Sequence, residues 1–395
     1  MVIKKIKLIN FRNYKNLNLK FSDGINIIIG NNAQGKTNIL ESIYTLALTK
    51  SYRTTNDFNL IRTGQEKFII TGDIKVDKVP KKMSIELYNN KKMVKINDNI
   101  VRKISDYIGN LVVILSSPED LNIIKGSPIE RRNFLNIEIS QKSNIYLKKY
   151  NEFNKLLKMR NDYLKLLYTN SIGDYSYLDI LTNNLIEREI EIYKYRNDYI
   201  NDINKYLETI YYDLSDLNSL KMKYITNIDL NEFSDQEIRK QLENKYKKNL
   251  QREITLGMTL YGPHRDDFQL IIDNEDIKIY GSQGQQKLAF IALKFAEIKI
   301  FEEKSNIKPI ILLDDIFSEL DKRRKNNLIK YINSDYQTII TSNDIKGINK
   351  KIINNAKIFK IYNNSVIEEG GKDGRKDKWK IWFIINSSIR RIRGC

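Results

Sequence analysis

Gly30-Asn31-Asn32-Ala33-Gln34-Gly35-Lys36-Thr37 fits the pattern G-x-x-x-x-G-K-[ST]. Glycines at both ends let the intervening backbone N–H groups curl around an anion. Lys36 then reaches the β and γ oxygens of a nucleotide, and the Thr37 hydroxyl is placed to ligate Mg²⁺. Such a loop needs an acidic group at a neighbouring strand end to hold the metal and orient water. Pro309-Ile310-Ile311-Leu312-Leu313-Asp314-Asp315 supplies it. After four apolar residues Asp314 emerges as the Mg²⁺ partner, and Asp315 stands beside it to position or polarise the attacking water. Two adjacent carboxylates also suit a helix N-cap. Lys36 and Asp314 lie 278 residues apart, so one nucleotide site is expected to draw on both ends of the chain.

The elements that must position these groups follow from hydrophobic spacing. Ile25 to Ile29 is a mostly apolar run that ends at Gly30, and Lys36 to Ile43 carries apolar residues at helical intervals. The order is strand, glycine-bounded loop, helix. Residues 68 to 115 show β-like patterns separated by Asn-rich turns. From 141 to 257 the chain is rich in Lys, Glu, Asn and Tyr and carries two heptad-like stripes. One runs through Tyr146, Tyr150, Phe153, Leu157, Leu164 and Leu167, the other through Leu178, Leu181, Leu185, Ile192, Tyr195, Tyr199 and Ile203. This spacing predicts a helical hairpin turning at Ser171 to Asp174, each helix about 30 residues or roughly 45 Å long. It makes a short arm at most, with Arg160 and Arg188 as charges inside the stripes. Beyond 258 an α/β pattern resumes: a polar loop Tyr280–Gln286, a helix Lys287–Phe301, a strand Ile310–Leu313, a helix Lys322–Ile332 and a strand Thr338–Thr341. The expected division is 1–140 and 258–368 as two parts of an α/β nucleotide-binding head, 141–257 as an inserted helical arm, and 369–395 as a basic tail.

Composition sets the outer limits. The chain has 395 residues, 41% hydrophobic and 29% charged, which excludes collagen-like, disordered and transmembrane-bundle architectures. No apolar run approaches the roughly 20 residues of a membrane-spanning helix, and the N-terminus lacks a signal peptide's apolar core. A cytoplasmic location without a membrane is expected. The single cysteine, Cys395, and the single histidine, His264, leave no internal disulfide and no Cys- or His-based metal centre. His264, between Pro263 and Arg265, reads as structural rather than catalytic. A net charge of +18 favours a polyanionic partner such as nucleic acid or an acidic membrane surface, although abundant Lys, Asn, Ile and Tyr also fit drift toward AT-rich codons. Residues 370 to 395 hold both tryptophans (Trp379, Trp382) and eight bases against two acids, leaving +12 for residues 1 to 369. They read as an extension past the natural end or as a basic tail with an apolar patch.

Further stretches carry a resemblance. Asn10-Phe11-Arg12-Asn13-Tyr14, the signature-like Tyr280-Gly281-Ser282-Gln283-Gly284-Gln285-Gln286-Lys287 and the D-loop-like Phe317-Ser318-Glu319-Leu320-Asp321 resemble the motifs of the ABC-type ATPase heads of the SMC group. With Leu115 to Leu121, Lys125-Gly126-Ser127-Pro128, Arg131-Arg132 and Tyr261-Gly262-Pro263-His264-Arg265-Asp266-Asp267, the pattern from residue 1 to about 368 is similar to the RecF family. The resemblance implies an ABC-type P-loop ATPase head carrying an inserted arm. It implies ATP and Mg²⁺ as cofactors and a weak DNA-stimulated ATPase that dimerises on DNA, single-stranded, gapped or duplex. It also implies a role in recombinase loading at single-stranded gaps, with RecR and RecO as partners. Gly30 to Asn38 would bind phosphate and metal, Arg12 would lie beside the nucleotide, and Ser282 and Gly284 would contact the γ-phosphate held by a second subunit. Arg53, in Ser51-Tyr52-Arg53-Thr54, occupies the place of an arginine coupling DNA to turnover, or is a solvated surface arginine.

Departures are visible too. The metal-sensing glutamine is missing near Ser116 to Glu119, Thr341-Ser342 replaces the switch histidine, Asp315 stands where relatives often have Glu, and Gln283 replaces a signature glycine. Each is expected to slow hydrolysis, which suits a switch. Two alternatives are a transporter's nucleotide-binding subunit, which expects a complete glutamine loop and switch histidine, and a structural clamp with negligible turnover.

Overall fold

The computed structural model describes residues 1–169, 174–215, 220–230, 234–318, 320–332, 335–344, 348, 350–362 and 365–369. The expected hairpin turn at 171–173, Glu319 of the D-loop-like stretch and the tail from 370 lie outside the described residues. Two compact units emerge, Met1–Glu119 with the chain from Glu297 onward, and Asp120–Ala296.

The N-terminal segment of the first unit contains β1 (Val2–Phe11), β2 (Tyr14–Lys20), β3 (Ile25–Ile29), α1 (Lys36–Leu48), β4 (Lys67–Val76), β5 (Val79–Tyr88), β6 (Lys91–Ile96), β7 (Asn99–Ile100), α2 (Ile104–Tyr107) and β8 (Val113–Ser116). An antiparallel sheet of order β2-β1-β4-β5-β6-β7 shows the alternation of a one-sided sheet, with Ile6 and Leu8 buried and Lys7 exposed between them.

The second unit holds α3 (Asn122–Lys125), α4 (Pro128–Lys142), α5 (Asn144–Thr169), α6 (Tyr175–Ser215), β9 (Leu220–Ile225), α7 (Asp235–Leu256), β10 (Asp267–Ile272), β11 (Glu275–Asp276) and α8 (Ile277–Tyr280). The stripes are largely core: Tyr146, Phe153, Leu164 and Leu167 are buried, as are Leu178, Leu181, Leu185, Ile192, Tyr199 and Ile203. The helices are unequal, 26 residues in α5 and 41 in α6. Apolar spacing continues past Ile203 through Leu207, Ile210, Tyr211 and Leu214, all buried, and carries α6 beyond the expected length.

Two features depart from a simple hairpin. A third helix, α7, packs on both α5 and α6 and buries Ile238, Leu242, Tyr246 and Ile254. Strand β9 pairs antiparallel with β10, Leu220 against Ile272 through Ile225 against Asp267. Leu220 and Met222 are buried and alternate with exposed Lys221 and Lys223, a period-two signal hidden in a lysine-rich stretch. This pairing, together with the Arg131 fork on Asp267 at 2.6 and 2.7 Å, ties residues 120–140 and 258–296 to the helices. The compact units therefore part at 119/120 and 296/297 rather than at the expected 140 and 257.

One buried charge in this unit is closely paired. Arg160, 1% exposed, meets Glu253 at 2.7 Å, Thr259 at 2.8 Å and Thr182 at 2.9 Å. Arg188 is a partly exposed partner of Glu152 and Glu191. Gly126 has no room for a side chain, since a Cβ there would sit 2.4 Å from the Asn122 carbonyl oxygen and would also displace the Glu130 carboxylate that caps α4.

His264 is structural. Its Nε2 lies 3.1 Å from the Thr259 carbonyl and its ring packs on Phe153. Burial pulls its pKa down to about 4, helped by Arg265, Arg132 and Arg196 and opposed by the Thr259 bond. A histidine held neutral in the fold contributes stability that is present above the usual value near 6.5 and is lost as pH falls toward 4. Asp266, raised by burial to about 6, slopes the opposite way and cancels when a variant is compared with its parent. His264→Gln is thus expected to be less stable than the parent at pH 7, with the gap narrowing by about 2 kcal/mol at pH 5 in urea titrations.

The chain returns to the first unit through α9 (Gln283–Ser305), then β12 (Ile310–Asp314), α10 (Lys322–Ile329), β13 (Thr338–Ser342), α11 (Lys350–Asn354), β14 (Lys357–Tyr362) and β15 (Ser365–Glu369). Helix α9 starts four residues earlier than expected, so the polar loop shrinks to Gly281 and Ser282. Its cause is a reciprocal cap: Ser282 Oγ accepts from Gln285 N at 3.2 Å, and Gln285 Oε1 accepts from Ser282 N at 2.8 Å. Helix α10 ends at Ile329, short of Ile332. The second sheet has order β15-β14-β3-β13-β12-β8, parallel from β14 to β8 with β15 antiparallel at one edge. Its central strands are buried on both faces, hence their continuous Ile and Leu runs.

Candidate nucleotide-binding site

Parallel register brings the site together. β13 lies between β3 and β12, placing Ser342 opposite Ile29 and Thr341 opposite Asp314. The carboxyl ends of three strands, two from the C-terminal segment, therefore meet where ligands bind in open α/β sheets. A cleft of about 200 Å³ opens there, lined by Asn32, Ala33, Gly35, Lys36, Thr37, Asn38, Arg53, Asp314, Asp315 and Asn343.

The loop's shape is fixed by backbone constraints. Ala33 and Gly35 have φ of +64° and +98°, and a Cβ on Gly35 would lie 2.7 Å from both Asn13 Nδ2 and Tyr14 Oη. A Cβ on Gly30 would lie 2.8 Å from the Ile361 carbonyl oxygen, so β14 enforces that glycine as well. Gln34 Oε1 accepts from Asn31 N at 3.3 Å and closes the loop on itself. Lys36 Nζ donates to the carbonyls of Gly30 (2.7 Å) and Asn31 (2.9 Å) and to Asn343 Oδ1 (3.0 Å). Burial lowers the Lys36 pKa, opposed by Asp315 and Asp314.

Thr37 and Asp314 also meet. Thr37 Oγ1 donates to Asp314 Oδ1 at 3.1 Å. Burial raises the Asp314 pKa, while the hydroxyls of Thr341 and Thr37 pull it back. A hydroxyl and a carboxylate as hard oxygen donors fit Mg²⁺, which keeps most of its other positions for water and phosphate. No group of three or more His, Cys, Asp or Glu gathers for a metal among the described residues.

Thr341, expected at the switch position, joins the site together with Asn343 and Asn13. Thr341 Oγ1 accepts from Asp315 N at 3.0 Å and donates to Asp314 Oδ1 at 2.5 Å, locking the two carboxylates' spacing. Asn343, one residue past β13, is the side chain that faces Lys36; the expected switch replacement at Thr341-Ser342 is thus divided between Thr341 and Asn343. Asn13 Oδ1 accepts from Asn38 Nδ2 at 2.8 Å. Hydrophobic patterning marks only the strand ends here, and the register that makes these residues neighbours is a tertiary property.

Arg12 is placed on Glu41 of α1, Nε to Oε2 at 2.9 Å and Nη2 to Oε1 at 2.5 Å, and is not among the cleft-lining residues. Arg53 does line the cleft, bonding Asn38 Oδ1 at 3.1 Å and Glu119 Oε1 at 3.3 Å. Ser282 and Gly284 belong to the second compact unit, at the capped start of α9.

Known proteins share the sequence family and the fold. The family model described as RecF/RecN/SMC N terminal domain matches residues 2–367. The DNA replication and repair protein RecF of Bacillus pumilus is 38% identical over 370 residues, covering 93% of this chain and 100% of the relative. Its namesake from an Exiguobacterium strain is 41% identical over 371 residues with the same coverage. A solved structure of the recombination mediator protein RecF-ATP in the RecFOR pathway superposes with a TM-score of 0.86 at 32% identity, covering 93% of this chain and 97% of that one. An Smc head bound to the C-terminal winged-helix domain of ScpA shares the fold at a TM-score of 0.54 and 17% identity.

Proposed function

Because the chain belongs to the RecF branch of the RecF/RecN/SMC N-terminal domain family, we propose that it is an ATP-dependent DNA-binding protein of DNA replication and repair. Nucleotide state would govern its dimerisation on DNA and its support of recombinase loading at single-stranded gaps. The observation that carries this reading is the Lys36, Thr37, Asp314, Asp315 cluster, assembled from both ends of the chain in one cleft. Lys36 and the loop N–H groups hold the phosphates, Thr37 and Asp314 hold Mg²⁺, and Asp315 orients the attacking water. When bound, the metal neutralises charge developing on the phosphate oxygens. Turnover is slow and DNA-stimulated in this reading, the location is cytoplasmic, and RecR and RecO are partners. The described residues include no helix long and apolar enough to cross a membrane.

DNA has a suitable surface. On the outer face of the antiparallel sheet, cross-strand neighbours form a row Asn18, Lys7, Thr71, Ser84, Lys95, with Lys20, Lys5, Asp73 and Lys82 in the next row. This polar, lysine-rich plane fits phosphate contacts, which release counterions and make affinity fall with salt. Fluorescence anisotropy with gapped, duplex and single-stranded DNA, with and without ATP, tests the function. Substituting Lys5, Lys7 and Lys95 by Gln is expected to lower the log–log salt slope by about 2 to 3. An unchanged slope would move the DNA off this face.

Ser282→Arg is expected to leave monomer ATP affinity unchanged and to abolish ATP-induced dimers in sedimentation. Loss of the α9 cap costs about 1 kcal/mol in any variant, so Ser282→Ala controls for it. A Ser282→Arg protein that dimerises normally would place the signature outside the interface. Mixing it with Lys36→Ala chains restores one composite site per dimer and recovers part of the dimer population.

A further inference from the structure

Glu41 is 0% exposed, and its one carboxylate gathers three side chains from two segments of the first unit. Arg12, from the turn between β1 and β2, forks onto both oxygens at 2.9 and 2.5 Å. Ser51 Oγ donates to Oε1 at 2.6 Å. Arg53 Nη1 approaches Oε2 at 3.5 Å while its other bonds go to Asn38 and Glu119. Two guanidiniums therefore share one buried carboxylate, and they share it unequally. Arg12 is fully committed, its Nη1 donating to the Asn59 carbonyl at 2.8 Å. Arg53 is loosely held, 32% exposed in its side chain, and lines the phosphate cleft.

We propose that Glu41 is a positioning residue of the ATP site: it anchors Arg12 and thereby leaves Arg53 as the guanidinium free to turn toward the nucleotide phosphates. Glu41 stands one helical turn after Thr37 and Asn38 on the same face of α1, so the helix that carries the metal ligand also carries the acceptor for both arginines. A planar guanidinium pairs best with a carboxylate through two parallel bonds, and Arg12 already occupies that geometry. An anion entering the cleft therefore competes with the long Arg53–Glu41 contact, with the neutral Asn38 acceptor and with Glu119, which is half exposed. If Arg12 leaves Glu41, the vacated oxygens capture Arg53 and draw it off the phosphates.

This rests on the reading of the chain as an ATPase, and the test separates the two. Binding of a fluorescent ATP analogue and steady-state hydrolysis are measured on the full chain. Arg12→Gln keeps Glu41 and frees its oxygens for Arg53. ATP affinity is expected to stay within about threefold while kcat falls about tenfold. Glu41→Gln releases both arginines, and the double variant Arg12→Gln/Glu41→Gln, which removes the pair together and leaves no lone buried charge, is expected to recover most of the lost kcat. Arg53→Gln added to Arg12→Gln should lower kcat no further. Additive losses in that pair, or no recovery in the double variant, overturn the assignment of Glu41. Absence of any hydrolysis by the parent chain would instead overturn the ATPase reading.

Discussion

Asp315→Asn is expected to bind ATP as the parent does and to hydrolyse it 10²- to 10⁴-fold more slowly, the range a positioned general base contributes. The substitution is unusually clean because of the backbone at this position. Asp315 has φ of +49°, a left-handed conformation that Asp and Asn both tolerate. Its N–H donates to Thr341 Oγ1, a bond that survives the change, so Asp314 keeps its hydroxyl partner and the metal pair stays intact. Only the charge that polarises water is lost. Single-turnover measurements with Mg²⁺ and DNA read the chemical step directly. Turnover at the parent rate would show that another group is the base.

Lys36→Ala acts on binding instead. The ammonium spends its three donors on Gly30 O, Asn31 O and Asn343 Oδ1, all neutral acceptors. Phosphate oxygens offer stronger, charge-assisted bonds in the same place. Removing such a contact costs about 1.5–3 kcal/mol, so ATP affinity is expected to fall roughly 10- to 150-fold. Equilibrium titration without Mg²⁺ isolates this from the metal. Unchanged affinity would mean that the lysine stays folded into its own loop when nucleotide binds.

The nucleotide loop and the acidic strand end were legible because their chemistry is local. A glycine-bounded turn between an apolar strand and a helix is written in consecutive residues, and so is the run from Ile310 to Asp315. Thr341 and Asn343 carry no such signal. They become site residues because β13 inserts between β3 and β12, a register decided by packing across more than 300 residues of chain. The Ser282 cap was readable as S-x-x-Q, yet a hydrophobic-spacing criterion starts α9 at the first apolar residue and overlooks it. Strand β9 was lost for the opposite reason, since two buried positions between lysines are too short a pattern to stand out from helical neighbours. Arg12 shows a third kind of limit. A motif says that an arginine is required without saying whether it meets the ligand or a buried carboxylate.

The strand order of the second sheet also governs when the site can exist during synthesis. β3 is made within the first 30 residues, but its neighbours β13 and β14 are made last, after all of the second unit. At roughly 5–20 residues per second a ribosome takes tens of seconds or less to span that interval, during which β3 presents two unpaired, strongly apolar edges. The second unit, contiguous from Asp120 to Ala296, is able to fold while the chain is still emerging and so shortens the loop that β3 and β13 must close. Nucleotide binding therefore has to wait until β13 and β14 have been made, and the interval before it is when exposed β3 most needs protection by a chaperone.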